Sequence, residues 1–187
     1  MSVLLQALWR RLDVPGHDVC ALVTDGTGYR IDGVAVYLDA RGPARIEYAV
    51  DCDGAWQSQG GHIRAAIGPS RQELRITRHA TGVWTLNGDA VAGLYDCVDL
   101  DYGFTPATNL LQTRRIGLGV GDAADVPAAW IEPPTLALTR LPQRYERIAD
   151  DRYRYDSPTA GYHETLEMHD SGFVRTYPGL WVLESAL

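Results

Sequence analysis

The sequence predicts a single domain, residues 1–187, built mainly from β-strands. Turn-forming residues recur at intervals of about 8 to 12 positions, a spacing typical of antiparallel sheets. Between these turns, apolar and polar residues alternate, as they do in strands with one buried face. Helical periodicity is confined to two short segments, Leu4–Leu12 and Pro106–Gln112. A chain of this length buries enough surface to need neither disulfides nor a structural metal.

In the first half of the chain, the predicted strands end at turn signals such as Asp25-Gly26, Gly42-Pro43 and Asn87-Gly88. An Asn-Gly pair between two strand patterns favours a two-residue hairpin. The opening segment Leu4–Leu12 fits either a short helix or the first strand. Further strands are expected at Val19–Thr24, Tyr29–Leu38, Ala44–Val50, His62–Ile67, Glu73–Thr77 and Val83–Leu86.

In the second half, Thr105-Pro106 has the pattern of a helix N-cap followed by proline at the first helical position. The principal helix is therefore expected to begin there. Gly121–Pro127 is interpreted as a loop, and Asp170-Ser171-Gly172 as the turn of a hairpin. Strands are expected at Ile116–Val120, Ala128–Ile131, Leu136–Leu141, Tyr145–Ile148, Tyr153–Tyr155, Thr165–Met168 and Phe173–Tyr177.

Charge and cysteine usage limit the partners. Seventeen basic against 24 acidic residues give a net charge of −7, which argues against nucleic acid and anionic membrane surfaces. An acidic ligand is disfavoured too, unless Arg114 and Arg115 reverse the field locally. Three widely spaced cysteines without a CxxC pair indicate reduced, buried thiols. The amino terminus has no signal-peptide pattern and no apolar run reaches the length of a membrane span, so a cytoplasmic location is expected.

The segment from Cys97 to Arg115 gathers two carboxylates, an amide and two arginines around a chain reversal. On an extended strand, Asp99 and Asp101 point to the same face, with Cα atoms about 6.6 Å apart. Such a pair can accept hydrogen bonds from ligand hydroxyls, and the spacing is also near that of the two acids in glycoside hydrolases. Because Leu100 points to the opposite face, a half-buried strand is predicted. An ordinary solvent-facing strand is the alternative.

Glu47 and Asp51 repeat this same-face pattern on an earlier strand. If the two strands meet, four carboxylates form an acidic pocket, and their repulsion raises at least one pKa unless a cation lies among them. An arginine of the Arg114-Arg115 pair is the candidate cation, and an aromatic side chain is expected to stack on a sugar face. The pocket is predicted to be bordered by Asn109, Arg115, Tyr145 and Trp56.

No metal or cofactor is predicted. A calcium loop starting at Asp99 would place Leu110 where such loops need Glu. His17 and Cys20 form a single HxxC pair without the second pair that zinc requires. The glycines at 117, 119 and 121 do not match the GxGxxG spacing of nucleotide-binding turns. No GxSxG motif or cysteine-hydrolase signature occurs.

The run DLDYGFTPATN at residues 99–109, followed by Arg114-Arg115, resembles the putative glycolipid-binding domain family, a bacterial family first catalogued as a domain of unknown function. The resemblance covers nearly the whole chain. It departs at Gln112, where the family pattern commonly has proline. Shorter matches lie at Trp9, Gly16, Asp18, Cys20, Glu47-Tyr48, Asp51, Trp56, Gln143, Tyr145, Asp170-Ser171-Gly172 and Tyr177–Trp181.

The resemblance implies a long, curved antiparallel sheet, a roll, wrapped around a single helix and remotely similar to lipoprotein localisation factors. It also implies a homodimer, for which the strands at Phe173–Val182 are the candidate buried patch. The function it implies is non-catalytic binding of a glycolipid or related polar lipid, with a role in glycolipid metabolism. A hydrolase acting on glycoconjugates through paired carboxylates and a dimeric interaction module are the alternatives. Binding is favoured because the sequence offers no supporting nucleophile, metal set or phosphate cradle.

Overall fold

The computed structural model describes residues 1–133 and 135–187, and 61% of the chain is strand. One α-helix, α1 (Asn109–Ile116), and one 3-10 turn, Pro158–Ala160, occur in these residues. The strands are β1 (Ser2–Arg11), β2 (Gly16–Thr24), β3 (Gly28–Asp39), β4 (Gly42–Asp53), β5 (Ser58–Ile67), β6 (Ser70–Arg78), β7 (Trp84–Leu86), β8 (Asp89–Val91), β9 (Asp99–Tyr102), β10 (Ala123–Asp125), β11 (Ala128–Glu132), β12 (Ala137–Leu141), β13 (Arg144–Ala149), β14 (Arg152–Ser157), β15 (Tyr162–Met168), β16 (Val174–Tyr177) and β17 (Trp181–Ala186).

Fourteen of these strands form one long, curved antiparallel sheet that does not close into a barrel. Its order is β10-β13-β14-β15-β16-β17-β1-β2-β3-β4-β5-β6-β7-β8. Because β1 pairs with both β2 and β17, the two ends of the chain lie side by side within the sheet. The β-dominated roll expected from the sequence is confirmed.

Alternation along β4 decides which face of this sheet is the core. Ile46, Tyr48 and Val50 are buried on the inner face, as predicted. Side chains of successive strand residues point to opposite faces, so Glu47 and Asp51 lie on the outer face. The turn at Asn87-Gly88 joins β7 to β8, with both residues at positive φ (54° and 95°), which is the geometry of the predicted hairpin.

Inside the curve lies a second, three-stranded sheet, β12-β11-β9, in which β9 and β11 run parallel. The inner strand β9 lies between β5 on one side and α1 on the other. The Tyr102 hydroxyl donates a hydrogen bond of 3.0 Å to the Ala49 carbonyl of β4. Gly61 of β5 permits this close approach, because a Cβ at that position would overlap the Tyr102 hydroxyl.

The helix begins later than the sequence predicted. At Thr105 the hydroxyl accepts a bond of 3.0 Å from the Ala107 amide and forms a turn. Leu110 then bonds to the Ala107 carbonyl three residues back, and the α-helix starts only at Asn109. The chain thus makes one tighter turn before the α-helical register is reached.

The predicted strand at Ile116–Val120 is wrong, because Ile116 is the last residue of α1. Gly117 follows in the left-handed conformation (φ 55°), and its amide donates to the Thr113 carbonyl at 3.1 Å, a helix C-cap. The segment Leu4–Leu12, left open between helix and strand, lies in β1. The segment Gly121–Pro127 is not loop throughout, since it contains the short strand β10.

The interior is divided between two apolar clusters. The larger lies between the first half of the main sheet and the inner layer of β9, β11 and α1. The smaller lies under β13–β16 and is rich in tyrosine: Tyr145, Tyr153 and Tyr155 are buried, with Leu166 and Met168 beside them. The three cysteines are free and buried, in agreement with the sequence.

Candidate functional site

Asp101 of β9 lies at the centre of a buried polar cluster between the inner strand, α1 and the tyrosine-rich strands. The residue is 7% exposed, and the Thr108 hydroxyl donates to its carboxylate at 2.5 Å. Burial raises the pKa of Asp101 to about 6, although hydrogen bonds from Thr108 and from the backbone of Tyr102 oppose that change. A carboxylate in this state can switch between accepting only and also donating a hydrogen bond near neutral pH.

A chain of hydrogen bonds runs from α1 to the tyrosine-rich strands beside Asp101. The Asn109 amide donates to the Tyr145 hydroxyl at 2.8 Å, and that hydroxyl donates to Gln112 Oε1 at 2.6 Å. Gln143 Nε2 donates to the same Gln112 oxygen at 3.0 Å, and the Tyr155 hydroxyl donates to Gln143 Oε1 at 2.7 Å. All five side chains are buried, and their hydrogen bonds connect α1 to Tyr145 of β13 and Tyr155 of β14.

Two buried groups of this cluster have no hydrogen-bond partner among the described residues: Gln112 Nε2 and the Ser157 hydroxyl. The Gln112 amide lies near enough to Asp101 to lower the pKa of that carboxyl, yet it makes no bond of ordinary geometry to it. The Ser157 hydroxyl lies beside the Tyr155 hydroxyl in the same way. A buried polar group without a partner costs about 1–3 kcal/mol, so unused bonding capacity at this point needs a reason.

Asp99, two residues before Asp101 on the same face of β9, is held by Arg115 of α1. Arg115 Nε and Nη2 donate to the two carboxylate oxygens at 2.8 and 2.6 Å. The Asp99 side chain is fully buried and the Arg115 side chain is 24% exposed. Burial raises the pKa of Asp99, and the ion pair with Arg115 opposes that change. Of the two candidate cations, Arg114 and Arg115, it is thus Arg115 that lies against Asp99.

The expectation of a half-buried β9 is wrong. All four of its residues are buried, because Leu100 and Tyr102 face the main sheet while Asp99 and Asp101 face α1 and the tyrosine-rich strands. Ser58 of β5 supports the first contact, since its hydroxyl accepts a bond of 3.0 Å from the Leu100 amide. The two aspartates therefore lie inside the protein and not in an open acidic pocket.

The structure also separates the two acid pairs that the sequence placed together. Glu47 and Asp51 lie on the outer face of β4, where Glu47 pairs with Arg45 and Asp51 pairs with Arg30 at 2.8 Å. Asp51 borders an open groove of about 850 Å³ over β3–β6, whose other ionisable side chains are Arg30, His62, Arg64, Glu73 and Arg75. A four-carboxylate cluster is not formed, because the backbone of β4 lies between the pairs.

Trp56 lies in the turn between β4 and β5, away from Tyr145. Its φ of 64° is unusual for a bulky residue, and its ring stacks on Tyr29 with centroids 3.8 Å apart and planes 6° apart. The Arg114 guanidinium lies 6.0 Å from the indole centroid. Trp56 and Tyr145 thus do not form one shared aromatic surface.

A second buried carboxylate was missed by the sequence reasoning. Asp18 of β2 is fully buried and accepts hydrogen bonds from the Tyr48 hydroxyl at 3.0 and 2.9 Å and from the Thr105 hydroxyl. Burial raises its pKa to about 7. The signal was present in the sequence, because Asp18 has the same strand parity as the apolar residues Cys20 and Leu22. Gln112, Gln143 and Tyr155 carried no comparable signal.

Among the described residues, no group of three or more histidine, cysteine, aspartate or glutamate side chains is arranged to hold a metal ion. The one helix in that part of the chain is too short to cross a membrane. The hydrogen-bonding groups around β9 are carboxylates, amides, hydroxyls and guanidinium groups.

The open roll and its interior polar cluster define a β-roll protein with a helix-supported polar site. The chain belongs to the putative glycolipid-binding family, whose model matches residues 6–182. A solved structure of a DUF1089 family protein, PA1994 from Pseudomonas aeruginosa, is similar to it, with a TM-score of 0.77 and 25% sequence identity. That likeness covers 88% of this chain and 91% of the other. No curated protein matches the sequence.

Proposed function

We propose that the protein binds a glycolipid or a related polar lipid without catalysing a reaction on it, and that Asp101 is the group that accepts hydrogen bonds from the hydroxyls of the headgroup. Family membership suggests the class of ligand. The observation that carries the proposal is the buried amide of Gln112, which lies beside Asp101 without a bonding partner among the described residues. A sugar hydroxyl can accept from such an amide and donate to the carboxylate at the same time.

Tyrosine rings form the approach to this cluster. Tyr162 and Tyr177 are half-buried, and their ring centroids lie 4.9 Å apart. The centroid of the buried Tyr155 ring lies 6.0 Å from that of Tyr162 and 5.9 Å from that of Tyr177. Aromatic rings of this kind present apolar surface to a sugar face while their hydroxyls bond to its edge. The half-buried pair therefore suits the entrance to a headgroup site.

The other predicted site residues have supporting roles in this proposal. Asn109 and Tyr145 hold Gln112 in place through the hydrogen-bond chain. Arg115 fixes Asp99, so the two together orient α1 against β9. Glu47 and Asp51 lie on the outer face and take no part at this site.

The hydrolase alternative is less well supported by the same geometry. A glycosidase needs two carboxyl groups that both reach the scissile bond. Both oxygens of Asp99 are engaged by Arg115, and its side chain is fully buried. Asp101 alone would then have to act as acid and nucleophile or base.

The test is cosedimentation of the purified full chain with phosphatidylcholine vesicles that contain a glucosyl diacylglycerol. Wild-type protein is expected to bind these vesicles and to leave vesicles of phosphatidylcholine alone unbound. Asp101→Asn is expected to reduce binding about 10-fold or more, because one charge-assisted hydrogen bond is worth about 1.5–3 kcal/mol. Asp125→Asn is the matched control, since that side chain is 80% exposed and pairs with Arg144 instead of with a residue of the cluster.

Equal binding by wild type and Asp101→Asn would contradict the assignment of Asp101. Hydrolysis of the glucosyl lipid by wild type, lost in Asp101→Asn while binding persists, would favour the hydrolase alternative. If wild type binds neither vesicle and sediments as a dimer, the interaction-module alternative gains.

A further inference from the structure

Three arginines surround the turn between β4 and β5 at the end of the polar cluster nearest Asp99. Arg115 holds Asp99 through its two parallel hydrogen bonds. Arg114 Nη2 donates to the Ser171 carbonyl at 2.9 Å and its guanidinium lies 6.0 Å from the Trp56 ring centroid. Arg78, the last residue of β6, reaches the same turn through a long contact of 3.4 Å from Nη1 to Gln57 Oε1.

The acids around these arginines are few at Arg78 and more numerous at Arg114, which lines a pocket with Asp150, Asp151 and Asp170. Within the described part of the chain, Asp99 forms an ion pair with Arg115 alone, and neither Arg78 nor Arg114 forms an ion pair. Arg78 lies close enough to Asp99 to lower the pKa of that carboxyl. Asp53, the other carboxylate of the turn, accepts hydrogen bonds from the Ala55 and Gln57 amides. Arg78 therefore has no acid of its own, since the nearby Asp99 is already held by Arg115.

The second observation concerns the guanidinium group of Arg78. Its Nε is buried and has no hydrogen-bond partner among the described residues. A guanidinium desolvated on one edge without an acceptor is unfavourable on its own. An oxyanion placed against that edge would supply the acceptor, and arginine is well suited to bind carboxylate or phosphate by two parallel bonds.

We propose that Arg78, Arg114 and Arg115, which lie between the β4–β5 turn and the last turn of α1, bind an anionic group, a phosphate or carboxylate. Trp56 lies beside Arg114, and its unusual backbone conformation is held by stacking on Tyr29. This deepens the proposed function and in part rests on it: the anion site adjoins the Asp101 cluster, because Asp99 and Asp101 are neighbours on one face of β9. The headgroup would then be an acidic glycolipid or a sugar phosphate.

The test is isothermal titration calorimetry of the full chain with inorganic phosphate at low ionic strength. Wild type is expected to bind phosphate, and Arg78→Gln to weaken that binding about 10-fold, since a hydrogen bond to a charged group is worth about 1.5–3 kcal/mol. Arg114→Gln is expected to weaken it as well and leaves the Asp99 ion pair intact. Arg75→Gln, on the same strand but in the outer groove, is the control and should bind like wild type.

The proposal is overturned if wild type binds no phosphate, or if Arg114→Gln and a folded Arg78→Gln both bind it like wild type. Should Arg78→Gln fail to fold by circular dichroism, Arg114→Gln decides. Cosedimentation with phosphatidylcholine vesicles with and without phosphatidic acid then identifies the source: binding only to the acidic vesicles assigns a lipid headgroup, and binding of free phosphate alone assigns a soluble anion. Asp101→Asn should keep phosphate binding, so loss of glycolipid binding with phosphate binding retained would count against the proposed function and not against the anion site.

Discussion

Asp18 is a carboxylate in an environment far from its usual one. It is fully buried, its pKa is raised to about 7, and its oxygens accept bonds from Tyr48 and Thr105. It links β2 to β4 and to the turn before α1. This polar bridge therefore fixes the entry to the helix that carries the candidate site.

The raised pKa makes stability depend on pH. The unfolded chain releases this proton near the ordinary aspartate pKa of 3.8, whereas the folded protein keeps it until about pH 7. Between these values the folded state binds more protons, so the free energy of unfolding falls as pH rises from about 4 to about 7. Asp101 acts in the same direction, with its pKa raised to about 6. Below about pH 4 both carboxyl groups are protonated in the folded and the unfolded state, so stability no longer changes with pH through them.

Asp18→Asn should remove most of this dependence, because asparagine resembles the protonated carboxyl in having one acceptor and one donor group. At pH 8 the variant is expected to be more stable than wild type by up to about 4 kcal/mol, since each pKa unit corresponds to about 1.4 kcal/mol. At pH 4 the two should be nearly equal. Urea unfolding at both pH values measures this, with the exposed Asp125→Asn as control. A difference that is the same at pH 4 and pH 8 would contradict the assignment.

At the scale of single residues, the structure brings Asp99, Asp101, Asn109, Arg115 and Tyr145 into one region. Their proximity follows from a local reversal and from a helix of eight residues. Sequence reasoning could not place Arg78, because this residue reaches the site only through the position of the end of β6 beside the β4–β5 turn. Glu47 and Asp51 were misplaced because strand parity says which side chains share a face, but not which face looks inward.

At the scale of elements, the strands of the main sheet were predictable because alternation is a local property. The burial of β9 on both faces was not, since it depends on the parallel pairing of β9 with β11 and on the layers on either side. The strand predicted at Ile116–Val120 failed for a related reason. Its apolar residues are also compatible with the last turn of α1 and a glycine cap.

Gly61 controls the separation of β5 and β9. A Cβ there would overlap the Ala49 carbonyl and the Tyr102 hydroxyl and would lie 3.1 Å from a methyl carbon of Leu100. Gly61→Ala is expected to destabilise the fold by about 3 kcal/mol, a typical upper cost of overpacking a core. It should also loosen β9 and so weaken glycolipid binding. Thermal unfolding and vesicle cosedimentation would measure the two effects.

Gly119→Ala is the matched control for that substitution. Its added Cβ would lie 3.0 Å from Asp122 Oδ2, the end of a flexible side chain, and its backbone is outside the left-handed region. The change should therefore stay within about 0.5 kcal/mol. If Gly61→Ala is no more destabilising than Gly119→Ala, the two layers are not packed as tightly as the structure indicates.

At the scale of the whole molecule, the expected homodimer needs an exposed surface. The patch suggested by the sequence does not supply the aromatic groups expected of it, because Phe173, Val174 and Trp181 are buried within the same chain. Exposed apolar side chains lie instead on the outer face of β2 and β3: Val19 is 48% exposed, and Val36 is 44% exposed.

The β2–β3 face is the better candidate for contact with a second copy. Val19 is paired across the sheet with Leu8 of β1 and Val34 of β3, which makes a continuous apolar row. Beside this row, Glu184 pairs with Arg10 at 3.0 Å and lies 3.4 Å from His17. Two copies related by a twofold axis would present both charge signs to each other around an apolar centre, as dimer interfaces do.

Val19→Lys should shift the protein from dimer to monomer at micromolar concentration, because a charge placed in the centre of an apolar contact has to be desolvated on association. Val120→Lys is the control, since Val120 is 56% exposed but lies in the loop after α1. Analytical ultracentrifugation distinguishes the 20.6 kDa monomer from a dimer. A wild-type protein that sediments as a monomer would exclude the dimer at that concentration. A dimer that persists in Val19→Lys would show that the interface lies on another face of the roll. The next surfaces to test would then be the edge strands β8 and β10, because among the described residues each has a partner strand on one side only.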